Sequence, residues 1–444
     1  MLWQDRSPAF LLEYPAWLRI KIYWRYAVMS TNNAENNWIA TRELIPRWPV
    51  AISGLANLVA LLIAVFAIWW IFFSNTGVFK LYTPLLGFSL VIWTLLIILW
   101  QTELFDFWPF KRKFLNDANP LAKGAVFTAI TILLYLILVI GIVYFVIGQL
   151  GVTYFNWHSL MKYGEIGQDA ISARETASWA MISLSVPFFL ISVWFMFGIG
   201  DNLFPELKQP KRGIATIGLI AVIGIVLYAI FFHPHIGSMF YPKQIYAAVP
   251  PWWQGFAHTN SSEFSLGILF CSVVGVFYAF HMWDGQPFNL VKKQPWRFIF
   301  FAVMSLIIGY VIIFQGQLFI FDYLWDKAYA GGQNEMNFGW RYSHTVTMAN
   351  FVLVIAIMQN VFFGKAYIKL PGIVRGIIKT VVAVAVGLLF AWAYYKWAPS
   401  LLGVCEGISH PSENAAAFLL MVINLLMIQD YFMDGWPGYK LKKQ

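Results

Sequence analysis

Charged residues are scarce in this chain, and their scarcity excludes most classes of soluble protein. Only 11% of the 444 residues are charged, whereas 60% are hydrophobic and 19% are aromatic. A soluble domain carries about 25% charged residues, so this chain cannot cover a water-facing surface, and a soluble enzyme is excluded. The high apolar content also excludes an intrinsically disordered chain.

Cysteine and the short motifs of soluble enzymes are scarce as well. The two cysteines, Cys271 and Cys405, cannot build a disulfide scaffold or a cysteine-ligated zinc or iron–sulfur centre. The chain has no Walker phosphate-binding loop, no C-x-x-C-H haem attachment and no G-x-S-x-G nucleophile motif. Soluble-type nucleotide chemistry is therefore not expected.

Long apolar runs are what the chain has instead. A helix needs about 20 apolar residues to cross a hydrocarbon core of about 30 Å, and ten runs meet that length. They are too long and too continuous to be the alternating strands of a β-barrel. The sequence therefore predicts an all-α polytopic membrane protein. The predicted spans are 48–73, 80–101, 124–149, 176–200, 213–233, 260–283, 297–320, 342–364, 374–396 and 412–433.

Lysine and arginine are distributed unevenly between the two sides of the predicted spans. Of the 30 basic residues, 23 lie in or beside the terminal segments and the connections from even to odd spans. Because cytoplasmic loops carry the excess of Lys and Arg, both termini are predicted to be cytoplasmic, in a multi-pass protein of the cytoplasmic (inner) membrane. The net charge of +9 then reflects topology, and nucleic acid is not an expected partner.

The N-terminal segment, 1–46, lacks the continuous apolar core of a secretory signal peptide. Its apolar residues alternate loosely with Arg19, Lys21 and Arg25, which predicts an interfacial amphipathic helix on the inner leaflet. A flexible tail is the alternative. The remainder, 47–444, is predicted to be one transmembrane domain.

A short motif recurs where the even-numbered spans end. An aspartate is followed three or four residues later by a proline, and a basic residue opens the next odd-numbered span. The recurrence, at about 80 residues, predicts five helical hairpins at 47–122, 123–211, 212–296, 297–374 and 375–444. The fourth hairpin ends in a degenerate form of the motif. The Asp–Pro pairs are Asp106 and Pro109, Asp201 and Pro205, Asp284 and Pro287, and Asp434 and Pro437.

This exit motif is interpreted as a helix stop, because proline prevents the helix from continuing. The aspartate is less easily explained, since a carboxylate opposes the negative end of the helix dipole. We expect it to accept hydrogen bonds from turn amides or to pair with an arginine of a neighbouring repeat. A structural role in packing hairpin against hairpin is favoured over a binding role.

The polar side chains inside the predicted spans are amides and hydroxyls, and no charge is predicted near the membrane midplane. The absence of a central carboxylate argues against a proton or sodium pump. Gln315, Gln317, Asn350 and Asn424 are interpreted first as contacts between helices. The alternative is a polar pathway for a substrate past these amides.

Histidine is concentrated on the predicted outer side. Three outer histidines stand at the starts of even-numbered spans, where two glutamates occupy equivalent positions in their hairpins. Imidazole and carboxylate suit zinc, copper, iron or nickel, so these residues are candidates for a metal or haem site. Helix capping is the simpler interpretation, because helix starts favour polar and acidic residues. The five residues are His258, Glu263, His344, His410 and Glu413.

Three functions remain open on the sequence alone. Internal repeats favour transport or permeation of a neutral or amphipathic small solute. The outer histidines favour a membrane subunit of a redox or metal-dependent complex, with haem, quinone or a metal near the outer face. The long, tryptophan-rich outer loops suit a membrane scaffold that docks membrane or extracytoplasmic protein partners.

The outer metal site can be tested by a double substitution. If His410 and Glu413 hold a metal, exchanging both for alanine lowers the metal content of the purified protein, because two ligands are lost together. Elemental analysis of the solubilised protein measures this. Unchanged metal content would remove the site from consideration.

Overall fold

The computed structural model describes residues 42–149, 155–163, 169–200, 203–232, 262–320, 338–402 and 415–442; at 262–263 and 338–343 it describes only the backbone. Residues 1–41, most of the predicted amphipathic segment, lie outside these ranges. The long helices are α1 Val50–Phe73, α2 Pro84–Leu104, α3 Pro120–Ile147, α4 Ala170–Ile199, α5 Lys211–Phe231, α6 Ser262–Met282, α7 Trp296–Phe319, α8 Phe338–Phe363, α9 Gly372–Leu402 and α10 Ala416–Phe432. Shorter elements are β1 Leu44–Pro46, β2 Tyr439–Leu441, and helices Arg112–Asp117 and Trp157–Tyr163.

The described helices confirm an all-α protein built from long apolar helices. Each predicted span coincides with one helix, and the largest differences are at Ala170, predicted at 176, and Leu402, predicted at 396. Within the described ranges, nine helices are long and apolar enough to cross a membrane, and α10 has 17 residues. Run length and hydropathy therefore suffice to place the helices, because the lipid core sets a minimum length.

The ten helices form two layers that alternate along the chain. In the most apolar window of each odd-numbered helix only 22–28% of the residues are buried, whereas α2, α4, α6 and α8 are 61–89% buried. The odd helices expose leucine, isoleucine, valine and phenylalanine outward, as lipid-facing helices do. The even-numbered helices therefore form the interior of the protein.

The even-numbered helices pack side by side in a closed ring. α2 contacts α4, α4 contacts α6, α6 contacts α8, α8 contacts α10, and α10 returns to α2. Each odd helix lies on the outside of the ring, in the groove between two adjacent ring helices. α3 lies on α10 and α2, α5 on α2 and α4, α7 on α4 and α6, α9 on α6 and α8, and α1 on α8 and α10.

Each odd helix meets the ring through a narrow stripe that combines small residues with larger ones. The buried positions of α5 are Gly213, Thr216, Ile220, Gly224 and Tyr228, spaced three or four apart so that they share one face. Small residues allow two backbones to approach closely, which favours helix association in lipid. Because only this stripe contacts the ring, each odd helix buries little of its surface although its backbone lies close to the ring helices.

A glycine near the start of the odd helices receives a large side chain from the end of a ring helix. A Cβ added at Gly213 would lie 2.6 Å from the ring of Phe105, and one at Gly376 would lie 2.6 Å from Trp283. Gly54 and Gly124 contact Phe363 and Met433 in the same way. Each of these side chains directly precedes a predicted exit motif. Between α4 and α7 the contact is inverted, with Gly198 against Phe298 and Phe301.

Three of the exit turns have the same backbone conformation. The aspartates lie in the left-handed region, with φ of 47° at Asp106, 52° at Asp284 and 50° at Asp434, and a cis peptide precedes Pro109, Pro287 and Pro437. Aspartate tolerates a positive φ better than most residues do, which gives one reason for its presence. The α4 exit differs: Asp201 lies outside the described residues, and Gly200 and Phe204 before Pro205 take the positive φ values.

The two ends of the described chain meet at the same end of the bundle. β1 pairs antiparallel with β2, so that Leu44 lies opposite Leu441. Asn57 of α1 accepts a 2.6 Å hydrogen bond from the Gly438 amide. Tyr439 donates to the Phe362 carbonyl at 2.6 Å, and burial raises its pKa to about 12, so the phenol stays a donor. These contacts join the C-terminal segment to the N-terminal strand, to α1 and to the end of α8.

The glycine contact predicts a position-specific loss of stability. Gly213→Ala is expected to lower the stability of the protein by about 1–3 kcal/mol, because the added Cβ overpacks against Phe105. Gly218→Ala on the same helix is the matched control, because nothing lies within 4 Å of its added Cβ. Thermal unfolding of the solubilised variants measures both. Equal melting of the two variants would contradict the proposed contact.

Candidate functional site

A cavity of about 20 Å³ lies inside the ring and is walled by all five even-numbered helices. Its wall includes Leu95 of α2, Phe189 of α4, Phe270 of α6, Asn350 of α8 and Met427 of α10. A volume of this size holds about one molecule the size of water. Because every ring helix contributes, the cavity lies on the axis of the ring.

The cavity wall is apolar because the ring helices face it with hydrophobic residues, as stripes on α6, α8 and α10 and as single residues on α2 and α4. On α8 the stripe is Asn350, Leu353 and Ile357, spaced by three and four residues. Asn350 is the polar exception: its Nδ2 donates to the Val346 carbonyl at 3.0 Å. Its Oδ1 has no hydrogen-bond partner among the described residues. The cavity thus offers an apolar environment with a single amide in its wall.

A polar cluster lies one helical turn from the cavity, toward the end of the bundle that holds the exit turns, here called the exit end. Lys379 of α9 donates to the carbonyl oxygen of His281 at 3.1 Å and to Oδ1 of Asn360 at 2.9 Å. Nδ2 of Asn360 lies 3.4 Å from Nδ1 of His281. Lys379 and His281 are 3% and 0% exposed, and Asn360 is half-buried.

The donors and acceptors of this cluster determine its protonation pattern. An ammonium can only donate, so the amide oxygen of Asn360 faces Lys379 and its NH2 faces His281. Nδ1 of His281 then accepts a hydrogen bond, and the neutral imidazole carries its proton on Nε2. With Lys379 as the ammonium and His281 neutral, the cluster holds one positive charge.

Buried and partly buried ion pairs join odd helices to the exit turns of ring helices. Arg375 of α9 contacts Asp284 through Nε at 2.9 Å and through a terminal nitrogen at 2.5 Å. Lys123 of α3 contacts Asp434, which also lies 3.7 Å from Arg42. Asp284 and Asp434 thus pair with basic residues near the starts of α9 and α3.

The opposite end of the ring, here called the far end, holds a carboxylate that sequence reasoning did not select. Glu175 of α4 accepts hydrogen bonds from the Thr83 hydroxyl and from the amides of Leu85 and Leu86, at the start of α2. It therefore caps a neighbouring ring helix. Glu175 stands at the start of an even-numbered span, as Glu263 does, and this position is the sequence signal that could have identified it.

The predicted amide residues do not meet at one place. Asn350 lies in the cavity wall, whereas Gln315 and Gln317 are half-buried on the outer helix α7. Asn424 is buried between α10 and α2, where its Nδ2 donates to the Val91 carbonyl at 2.8 Å.

Most predicted outer metal ligands lie beyond what the structure describes. His258, His410 and Glu413 are outside the described residues, as is the side chain of Glu263. His344 is described, and its ring lies 6.1 Å from that of Tyr395. Within the described ranges no three His, Cys, Asp or Glu side chains are grouped closely enough to hold a metal ion.

Comparison with known proteins adds no relative to this description. No protein-family model, curated protein or solved structure matches the chain.

The buried pair of Lys123 and Asp434 predicts strong coupling rather than the modest effect expected of an exposed turn residue. Asp434→Leu or Lys123→Met alone should each cost about 3–5 kcal/mol, because each leaves a buried charge without its partner. The double variant should recover most of that loss. Thermal unfolding of the four proteins in one detergent measures the coupling.

The pair of Lys442 and Glu43 is the exposed control, with side chains 55% and 46% exposed. Lys442→Met should change stability by no more than about 1 kcal/mol. Losses that simply add in the Lys123 and Asp434 double variant would show that the two groups are not coupled.

Proposed function

We propose that this membrane protein passes a small neutral solute along the axis of its helix ring. The observation that carries the proposal is the apolar cavity walled by all five ring helices. A path at the centre of a closed ring is separated from lipid by a complete layer of protein. The wall contains no charged residue, which suits an uncharged solute.

The size and chemistry of the cavity define the solute class. A volume of about 20 Å³ admits a molecule of about the size of water. An apolar cavity favours a weakly hydrated molecule, because strongly hydrated solutes lose more on leaving water. Dissolved gases of similar size belong to this class, and ammonia fits by size and by its lack of charge, whereas sugars and amino acids are too large.

We further propose that the ring consists of five copies of one helical hairpin. The support is that the same contact recurs around the ring. The start of every odd helix contacts the end of the ring helix that belongs to the hairpin two before it, counting the fifth hairpin as the one before the first. Gln209 before α5 donates to the Leu104 carbonyl, and Gln294 before α7 donates to the Gly198 carbonyl. Lys365 after α8 donates to the Leu44 carbonyl before α1. The fivefold arrangement would place the solute path on the repeat axis.

The orientation in the membrane is part of the same proposal. The exit end carries most of the lysine and arginine of the chain, and both described chain ends lie there. By the excess of positive charge in cytoplasmic loops, this end faces the cytoplasm of a cell whose inner membrane holds the protein.

A bulky residue in the cavity wall tests the proposed path. Val273→Phe is expected to lower ammonia entry into protein-containing vesicles about tenfold, which corresponds to about 1.4 kcal/mol in the barrier. Val273 is 1% exposed and lies in the cavity wall. Ammonia entry is followed by stopped-flow fluorescence of a pH dye in vesicles of a sterol-rich lipid with low intrinsic permeability.

Val311→Phe is the matched control, because the same substitution there meets only the outer surface of α7, where Val311 is 54% exposed. It should leave ammonia entry at the wild-type rate. Wild-type vesicles that take up ammonia no faster than protein-free vesicles would contradict the proposed function.

A further inference from the structure

One position that faces the ring carries a charge in a single hairpin. The position is counted from the glycine near the start of each odd helix, or from Phe298 in α7. The residue three places after that point is buried in every odd helix. In four of them it is uncharged, and in α9 it is Lys379. The four uncharged residues are Asn57, Phe127, Thr216 and Phe301.

The ammonium of Lys379 contacts two ring helices one helical turn beyond the cavity wall, toward the exit end. Its two oxygen partners belong to His281 of α6 and Asn360 of α8. His281 follows the wall residue Phe277 by four positions, and Asn360 follows Ile357 by three, so both continue the cavity stripes by one turn. The rings of His281 and Phe277 are stacked with centroids 6.4 Å apart.

The charge of Lys379 is held by neutral groups. Its hydrogen-bond partners are a carbonyl and an amide oxygen, and the ring of Tyr367 lies 5.8 Å from its Nζ. Among the described residues no carboxylate oxygen lies within ion-pair distance of Lys379, and nearby Asp284 is bound by Arg375. A positive charge buried in this way acts strongly on other charges, because little water screens it.

We propose that the Lys379 ammonium, held by His281 and Asn360, is an electrostatic barrier to cations at the exit end of the axial path. This proposal rests on the proposed function, since it needs the axial cavity to be a solute path. A neutral molecule passes the ammonium without Coulomb repulsion, whereas its protonated form is repelled. A fixed positive group beside a narrow pore excludes protons and other cations in this manner.

Removing the charge tests the barrier in vesicles that contain the full chain. Ammonia entry is measured with a lumenal pH dye, and potassium and methylammonium entry with a membrane-potential dye. Lys379→Met is expected to raise cation permeability at least about tenfold while ammonia entry stays at or above the wild-type rate. Lys379→Arg, which keeps the charge, is expected to admit no more cation than the wild type.

Lys369→Met is the matched control, because it removes the same charge from an exposed position at the exit end, outside the ring. Its cation permeability should equal that of the wild type. Lys379→Gln, which retains a donor toward Asn360, carries the test if Lys379→Met does not elute as a single species in gel filtration.

Two results would overturn the barrier, and they are distinguishable. Normal ammonia entry with wild-type cation permeability in the neutral Lys379 variant would refute the barrier and leave the solute path standing. Absence of wild-type ammonia entry above that of protein-free vesicles would refute the path, and the barrier would fall with it.

Discussion

Helices in lipid gain no hydrophobic free energy by packing together, and this constraint governs every close contact in the fold. Their association depends on close backbone approach and on polar pairing. The chain meets both requirements at one recurring place, where an odd helix begins beside the end of a ring helix. There Gly376 admits the ring of Trp283, and Arg375 one residue earlier binds Asp284. Shape and charge thus select the same partner.

The start of each odd helix meets the end of a ring helix that is not its neighbour along the chain, so successive helices are interlocked. The arrangement closes where α1 contacts α8 and α10. The strand pair of Leu44–Pro46 with Tyr439–Leu441 then joins the chain ends. A ring closed in this way has an axis that no lipid can reach, and the axial cavity is the consequence.

The helices were predictable from the sequence because length and hydropathy record depth in the membrane. Which face of a helix meets the ring was not predictable in the same way, since lipid-facing and protein-facing residues are both apolar. The four amides were interpreted first as contacts between helices, with a polar pathway as the alternative; Gln315 and Gln317 lie on an outer helix and Asn424 lies between two ring helices. The aspartate of the exit turn was expected to accept hydrogen bonds from turn amides or to pair with an arginine of a neighbouring repeat, and Asp284 pairs with Arg375 at the start of α9. A usable signal for the two layers existed: the outer helices have mean hydropathies of 2.1–3.0, against 1.8–2.1 for α2, α4, α6 and α8.

Departure from a shared pattern distinguishes Lys379 from the residues that hold the two layers together. The glycines near the starts of four outer helices all serve the same close packing against the end of a ring helix. Lys379 fills a buried position where the other outer helices place asparagine, phenylalanine or threonine, so packing does not require its charge. Burial of an ammonium is costly unless its hydrogen bonds are satisfied, and His281 and Asn360 supply them. The charge therefore belongs to this one interface and not to the general architecture, which is why a role on the axis of the ring is proposed for it.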